Sequence, residues 1–371
     1  MARRHHLYLV ANMPDLQPCP LTSHPHLDPS QTPCPPDGRW QFNTDVVFRS
    51  DGSLAARYHK QNLFFEKESD TPLRLEVVTF DTPFAGRFGV FSCFDILFHD
   101  PTVRLLEKGI RQMIFPTAWM NLLSLLTAVQ IQRAVSLGAN VTLLAANLRH
   151  DSKAMTGSSI FTPSTSIYHH AFHHPREPEL LVLRIPVLDS DWLATQKQAK
   201  RQGETGGQGE AKSSSFPLPP PFNAFMAGDL FFFALLLDSE GQLTLCDGLL
   251  CCQLQYQRLP CHPLYALGVF AGSHTFAGHF TLQVCALVQC SGSEVSSCGK
   301  GVEEAESRLD FRLEGKFGTR YVYPSLLGSG MVVDGPDRIE KTTDGRVTME
   351  HSGMSVGLVT ACLYGRVYDQ D

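Results

Sequence analysis

A cysteine and a lysine, each at the end of a strand-like stretch, are the residues of this chain best suited to chemistry. Cys93 stands in Val90-Phe91-Ser92-Cys93-Phe94-Asp95-Ile96-Leu97-Phe98-His99-Asp100-Pro101, where an apolar run leads into the thiol and a turn-prone Asp-Pro pair follows. That pattern predicts a buried strand ending at a tight corner, with the sulfur held at the top of a sheet and backbone N–H groups aimed at what it attacks. Upstream, Arg57-Tyr58-His59-Lys60 closes a strand candidate spread over residues 44–48 and 54–58. An ammonium within reach of a thiol lowers its pKa and stabilises an oxyanion, which amide hydrolysis through a thioester requires. Taken alone, Cys93 would read as an inert buried thiol and Lys60 as a surface lysine.

Composition bounds what surrounds them. At 371 residues the chain exceeds one average domain, and 43% hydrophobic residues suffice for real cores. A net charge of −6 without basic runs argues against nucleic acid or an acidic membrane as partner. No apolar run reaches transmembrane length. Eleven cysteines, eight of them from Cys246 to Cys362, point to disulfides and an oxidising compartment. The odd total suits one free thiol, Cys93, with Cys19 and Cys34 as the easiest local pair. Such a compartment requires a signal peptide, whereas residues 7–11 are too short for its apolar core and read as a buried strand ending at Asn12. The chain is therefore expected to lack its beginning, signal peptide included.

The elements that must position the two residues alternate along residues 1–190. Strands are expected at 7–11, 45–48, 75–80, 87–91, 113–116 and 141–146. Helices are expected at 101–108, closed by Gly109, and at 122–137, closed by Gly138. This alternation is that of a layered α/β domain, assigned to 1–194. Residues 195–224, rich in Lys, Gln, Gly, Glu, Ser and finally Pro, read as a solvated linker. Residues 225–371 carry short strands between turn residues and predict a β-rich, cysteine-containing second domain.

The wording of these motifs resembles the nitrilase superfamily of carbon–nitrogen hydrolases, and within it the vanin and biotinidase branch. The resemblance rests on Lys60 and Cys93 with their flanks, on Asp37-Gly38-Arg39-Trp40-Gln41-Phe42-Asn43-Thr44, on Pro116-Thr117-Ala118-Trp119-Met120-Asn121 and on Met155-Thr156-Gly157-Ser158. In the second domain it rests on Leu250-Cys251-Cys252, Gln283-Val284-Cys285-Ala286-Leu287-Val288 and Gly357-Leu358-Val359-Thr360-Ala361. It implies an α+β fold, a nitrilase-like four-layer αββα sandwich, N-terminally incomplete here and followed by the smaller β-rich domain. It also implies a thiol amidohydrolase working without cofactor or metal. Cys93 would be the nucleophile, Lys60 and the N–H of Phe94 would hold the oxyanion, and Glu66 would be an auxiliary acid. The implied substrate is a small linear amide, a biotinyl amide such as biocytin or a biotinyl peptide, to which Asp81-Thr82-Pro83-Phe84-Ala85-Gly86-Arg87 points; a pantetheine amide is the alternative. Oligomeric state and the remaining disulfide pairings are left open.

The family's third catalytic group is a glutamate well upstream of the lysine, and no residue ahead of Lys60 matches it. Asp15, Asp28, Asp37, Asp45 and Asp51 are the only carboxylates there, all but Asp45 in loop or turn context. A catalytically inactive family member is the resulting alternative. Trp119, after Pro116 at a strand end, is a candidate pocket wall, and Asn147, closing Leu143-Leu144-Ala145-Ala146, either lines the pocket or caps a turn. His169-His170-Ala171-Phe172-His173-His174 has a metal-like look, but no carboxylate or thiol stands at ligand spacing. Asn140-Val141-Thr142 is a glycosylation sequon entering an expected buried strand.

Overall fold

The computed structural model describes residues 1–19, 34–170, 180–188, 220–259 and 262–371. They form two compact units, Met1–Trp119 with Leu143–Arg149 and Met120–Thr142 with His150–Asp371. This division differs from the one read from composition. Residues 195–219 of the expected linker lie outside the described residues, and a strand, Phe222–Met226, already begins inside its last positions.

The first unit opens with one helical turn, α1 (Ala2–His5), and an antiparallel sheet of β1 (Leu9–Pro18), β2 (Arg39–Phe48) and β3 (Leu54–His59), in that order. β1 is longer than expected and is not buried, for it pairs with β2 along its whole length, from Leu9 opposite Phe48 to Pro18 opposite Arg39. The partner strand, rather than local hydrophobicity, sets its extent. The predicted Cys19–Cys34 disulfide is present.

A second sheet runs β4 (Thr79–Thr82), β5 (Gly86–Val90), β6 (Gln112–Thr117) and β7 (Thr142–Asn147). β4 and β5 form the expected hairpin, although β4 starts at Thr79 instead of residue 75. β5 and β6 are parallel, with Gly89 opposite Met113. Their side chains Phe88, Val90, Met113 and Phe115 are buried, which is why both strands read as continuous apolar runs. The crossover between them is shorter in α-helix than expected: a wide helical turn over His99–Val103 precedes α2 (Arg104–Glu107), and Gly109 takes the left-handed φ of 80° that follows a helix end.

In the second unit the helix expected at 122–137 is α3 (Ala128–Ala139). Thr127 caps it by accepting from Gln130 N, and Asn121 Oδ1 accepts from Ala128 N, so the apolar residues ahead of 127 are left in a loop. The closing left-handed residue is Asn140, at φ 56°, not Gly138. Gly138 has a packing reason instead: a Cβ there would meet the Tyr323 ring at 2.7 Å. Thr142 of the sequon is buried in β7. β8 (Ser158–Phe161) and β9 (Ser166–His169) form a hairpin. His169 ends β9 with His170 next to it, while His173 and His174 lie outside the described residues.

The C-terminal part is two antiparallel sheets, of seven and five strands. Leu254, Leu313 and Met349 from the five-stranded sheet share one core with Val269, Leu287 and Leu363 from the other. Cys252 and Cys285 join the two sheets through that core, and Cys246–Cys251 and Cys290–Cys298 are local staples. Gly315 makes room for the inter-sheet bridge, since a Cβ there would lie 2.8 Å from Cys285 Sγ. Among the described residues both Cys93 and Cys362 are free, so the expectation of a single free thiol fails. Replacing both Cys252 and Cys285 by Ala should lower the unfolding free energy by about 2–4 kcal/mol in urea titrations. An unchanged midpoint would mean the bridge contributes nothing to cohesion.

Candidate active site

Lys60 directly follows β3, where the register Thr44 opposite His59 continues with Lys60 N donating to Asn43 O at 2.8 Å. The lysine is 2% exposed, against the surface position its type suggests. Its Nζ donates to Glu66 Oε2 at 2.6 Å, and Glu66 also accepts from Asn43 Nδ2 at 2.6 Å and from Phe64 N at 3.1 Å. A buried ammonium is tolerated only when paired in this way, since an unpaired one would cost several kcal/mol. The neighbouring His59 is gripped between Glu76, 2.8 Å from Nδ1, and Asp15, 3.3 Å from Nε2.

Cys93 sits at the corner after β5. Phe91, Ser92 and Phe94 around it are buried, whereas Cys93 is partly exposed. Its φ is 47°, in the left-handed region that costs a non-glycine residue about 1–2 kcal/mol, and it opens a short helical turn, Cys93–Leu97. Such local strain, held by surrounding structure, is how a nucleophile is displayed at a strand-to-helix corner. Ser92 Oγ donates to Pro116 O at 3.3 Å, tying the corner to the end of β6.

The segments bearing Lys60 and Cys93 are fastened to each other. Asp95 Oδ2 accepts from Tyr58 Oη at 2.6 Å and from Ser92 N at 3.0 Å, while Oδ1 accepts from Asn62 N and Nδ2, both at 2.8 Å. The rings of Phe64 and Phe94 meet at 5.0 Å between centroids, and Phe94 meets Phe98 at 5.0 Å. Trp119 and Asn147 follow and end β6 and β7, so they join Cys93 at the same end of three adjacent strands. Asn147 clamps the Trp119 backbone: its Oδ1 accepts from Trp119 N at 2.8 Å and its Nδ2 donates to Trp119 O at 3.2 Å.

Asp95 and Asp45 escaped notice as site residues. Burial pushes Asp95 up to about 6, against the hydrogen bonds from Tyr58, Asn62 and Ser92 that favour its charged form. Asp45 on β2, opposite Tyr58, is 1% exposed. Its Oδ1 accepts from Asn12 Nδ2 at 2.8 Å, while its Oδ2 has no hydrogen-bond partner among the described residues. Burial, seconded by the charge of Asp95 and opposed by Asn12 and Lys60, raises Asp45 to about 7. The available signals were modest: Asp95 lies two residues past Cys93, and Asp45 is a charge inside an apolar strand.

The raised Asp45 has a definite sign. Below about pH 4 both folded and unfolded states carry the proton, and no penalty exists. Between about pH 4 and 7 the unfolded chain has lost the proton that the folded state keeps, so stability falls across that window and levels off above it. Asp45→Asn should therefore stabilise by on the order of 2 kcal/mol at pH 8, with the gain shrinking toward pH 4 in denaturation curves. A gain independent of pH would contradict the assignment.

Residues 1–162 match the family model of carbon-nitrogen hydrolases, and residues 225–371 match the vanin C-terminal domain. Over its full length the chain is 56% identical to a biotinidase of Takifugu rubripes, of which it covers 74%. It is 43% identical to a biotinidase of Bos taurus, covering 73% of it, and 40% identical to a pantetheinase of Homo sapiens, covering 70%. The chain thus belongs to the carbon–nitrogen hydrolase family, in the group that carries a vanin C-terminal domain and includes the biotinidases and pantetheinases.

Proposed function

We propose that this chain is a thiol amidohydrolase of the biotinidase type, releasing biotin from biocytin or biotinyl peptides, with Cys93 as nucleophile and Lys60 as its cationic partner. The observation that carries the reading is the fastening of the lysine segment to the cysteine corner through buried Asp95. Full-length identity of 56% to a biotinidase supports the choice of acyl group.

In this scheme the Cys93 thiolate adds to the amide carbonyl, and the oxyanion is held by the Lys60 ammonium and the Phe94 N–H. The C–N bond breaks as the amine takes up the proton that the thiol released, and a thioester remains on Cys93. Water then attacks the thioester, giving the free acid and regenerating the thiol. Glu66 orients Lys60, Trp119 forms a pocket wall, and Asn147 fixes the Trp119 backbone. The small amide is the partner in this reading, and neither metal nor cofactor enters it. The hydrolase domain is assigned to residues 1–194 and the vanin-type domain to 225–371, with the linker after 194 ending before the strand Phe222–Met226. Four disulfides among the described residues support an extracellular location. Among the described residues, no helix is long and apolar enough to cross a membrane.

Two other readings stand beside this one. Pantetheine hydrolysis uses the same groups, and a human pantetheinase is 40% identical. A catalytically inactive family member is the other alternative. One assay separates all three: hydrolysis of biocytin and of pantetheine by the natural full-length protein and its Cys93→Ala variant. The proposal expects biocytin to be the better substrate and the variant to lose at least about 10³-fold in kcat. Preference for pantetheine, no turnover of either amide, or activity surviving Cys93→Ala would each overturn it.

A further inference from the structure

Asp95 is placed unlike an ordinary core carboxylate. It is fully buried, and its side chain takes four donors, which fills the acceptor positions of its two oxygens. Three come from the strand end that carries the lysine: Tyr58, two residues before Lys60, and Asn62 twice, two residues after it. The fourth is the N–H of Ser92, immediately before Cys93. Its main chain is fixed as well, since its carbonyl accepts from Thr102 Oγ1 at 2.7 Å and from Phe98 N at 3.0 Å.

We infer that Asp95 is a positioning residue: it sets where the Lys60 ammonium stands relative to the Cys93 sulfur, and so the readiness of the thiol to ionise. The inference rests on the reading of Lys60 and Cys93 as one catalytic pair, and goes beyond it by naming what holds them in register. A carboxylate is required because all four neighbours donate. An asparagine offers one acceptor oxygen and turns an NH₂ toward two donors, leaving buried groups unpaired. Removing one donor at a time should loosen the register in proportion. Tyr58→Phe keeps the ring in the core and deletes the bond to Asp95, together with the one that Tyr58 Oη accepts from Gln61 N at 3.2 Å.

The test reads the thiol directly and does not depend on turnover. The pH dependence of Cys93 alkylation by iodoacetamide is followed by peptide mass spectrometry on the intact oxidised protein, with Cys93→Ala as background because Cys362 is also free. If the lysine and thiol are paired, Lys60→Met raises the apparent pKa of Cys93 by roughly one unit. Asp95→Asn should raise it by roughly half to one unit, with the Lys60→Met, Asp95→Asn double variant no higher than Lys60→Met alone. Tyr58→Phe should shift it the same way by less, and decides the matter if Asp95→Asn does not fold. A purely structural Asp95 would lower the melting temperature and leave the alkylation profile of the folded protein where it was. Wild-type profiles in Asp95→Asn and Tyr58→Phe beside a shifted Lys60→Met would overturn the positioning role alone. An unshifted Lys60→Met would overturn the catalytic pair and this inference with it.

Discussion

A charged lysine in a desolvated place is the constraint around which the first unit is organised. Lys60 cannot be both buried and ionised without a counter-charge at contact distance, and Glu66 supplies it at 2.6 Å. Glu66 needs its own donors, which Asn43 and Phe64 provide, so the loop after β3 folds back upon the strand it left. The pairing therefore shapes the backbone of residues 60–66. Through Phe64 against Phe94 it also reaches the aromatic cluster beside Cys93.

Two further acids make this centre electrostatically tight. Asp45 and Asp95 are both buried and both raised, to about 7 and about 6, and each counts among the neighbours of Lys60 or Tyr58. Tyr58 is consequently a donor throughout the accessible pH range, its own ionisation opposed first by burial and then by the Asp95 charge. A site built this way stores its cost in carboxylates that the fold must keep from water. The disulfide-joined sheets of the second unit share an apolar interior instead.

What the sequence revealed and concealed follows from range. The Cys93 corner was legible because its signals are contiguous: an apolar run, a small polar residue, then an Asp-Pro turn. The Cys19–Cys34 bridge was legible for the same reason. The burial of Lys60 was not, because its partners Asn43 and Glu66 are brought together by strand pairing and a loop reversal. Asp95 was hidden similarly, since its significance lies in donors from Tyr58 and Asn62, more than thirty residues away in sequence. The start of α3 was misplaced by an apolar run that outweighed a capping pattern, Thr127 with Gln130, present in plain text. Cys362 shows the limit of counting, for an odd total of cysteines fixes parity and not which thiol stays free.

The central claim is that an acyl group passes through the sulfur at position 93. The direct measurement is acid quenching of the protein shortly after mixing with an activated biotinyl ester, followed by peptide mass spectrometry. This account predicts a biotinyl adduct on the peptide containing Cys93, removed by hydroxylamine as a thioester should be. Acylation at another residue, or none at Cys93 while ester is consumed, would contradict it.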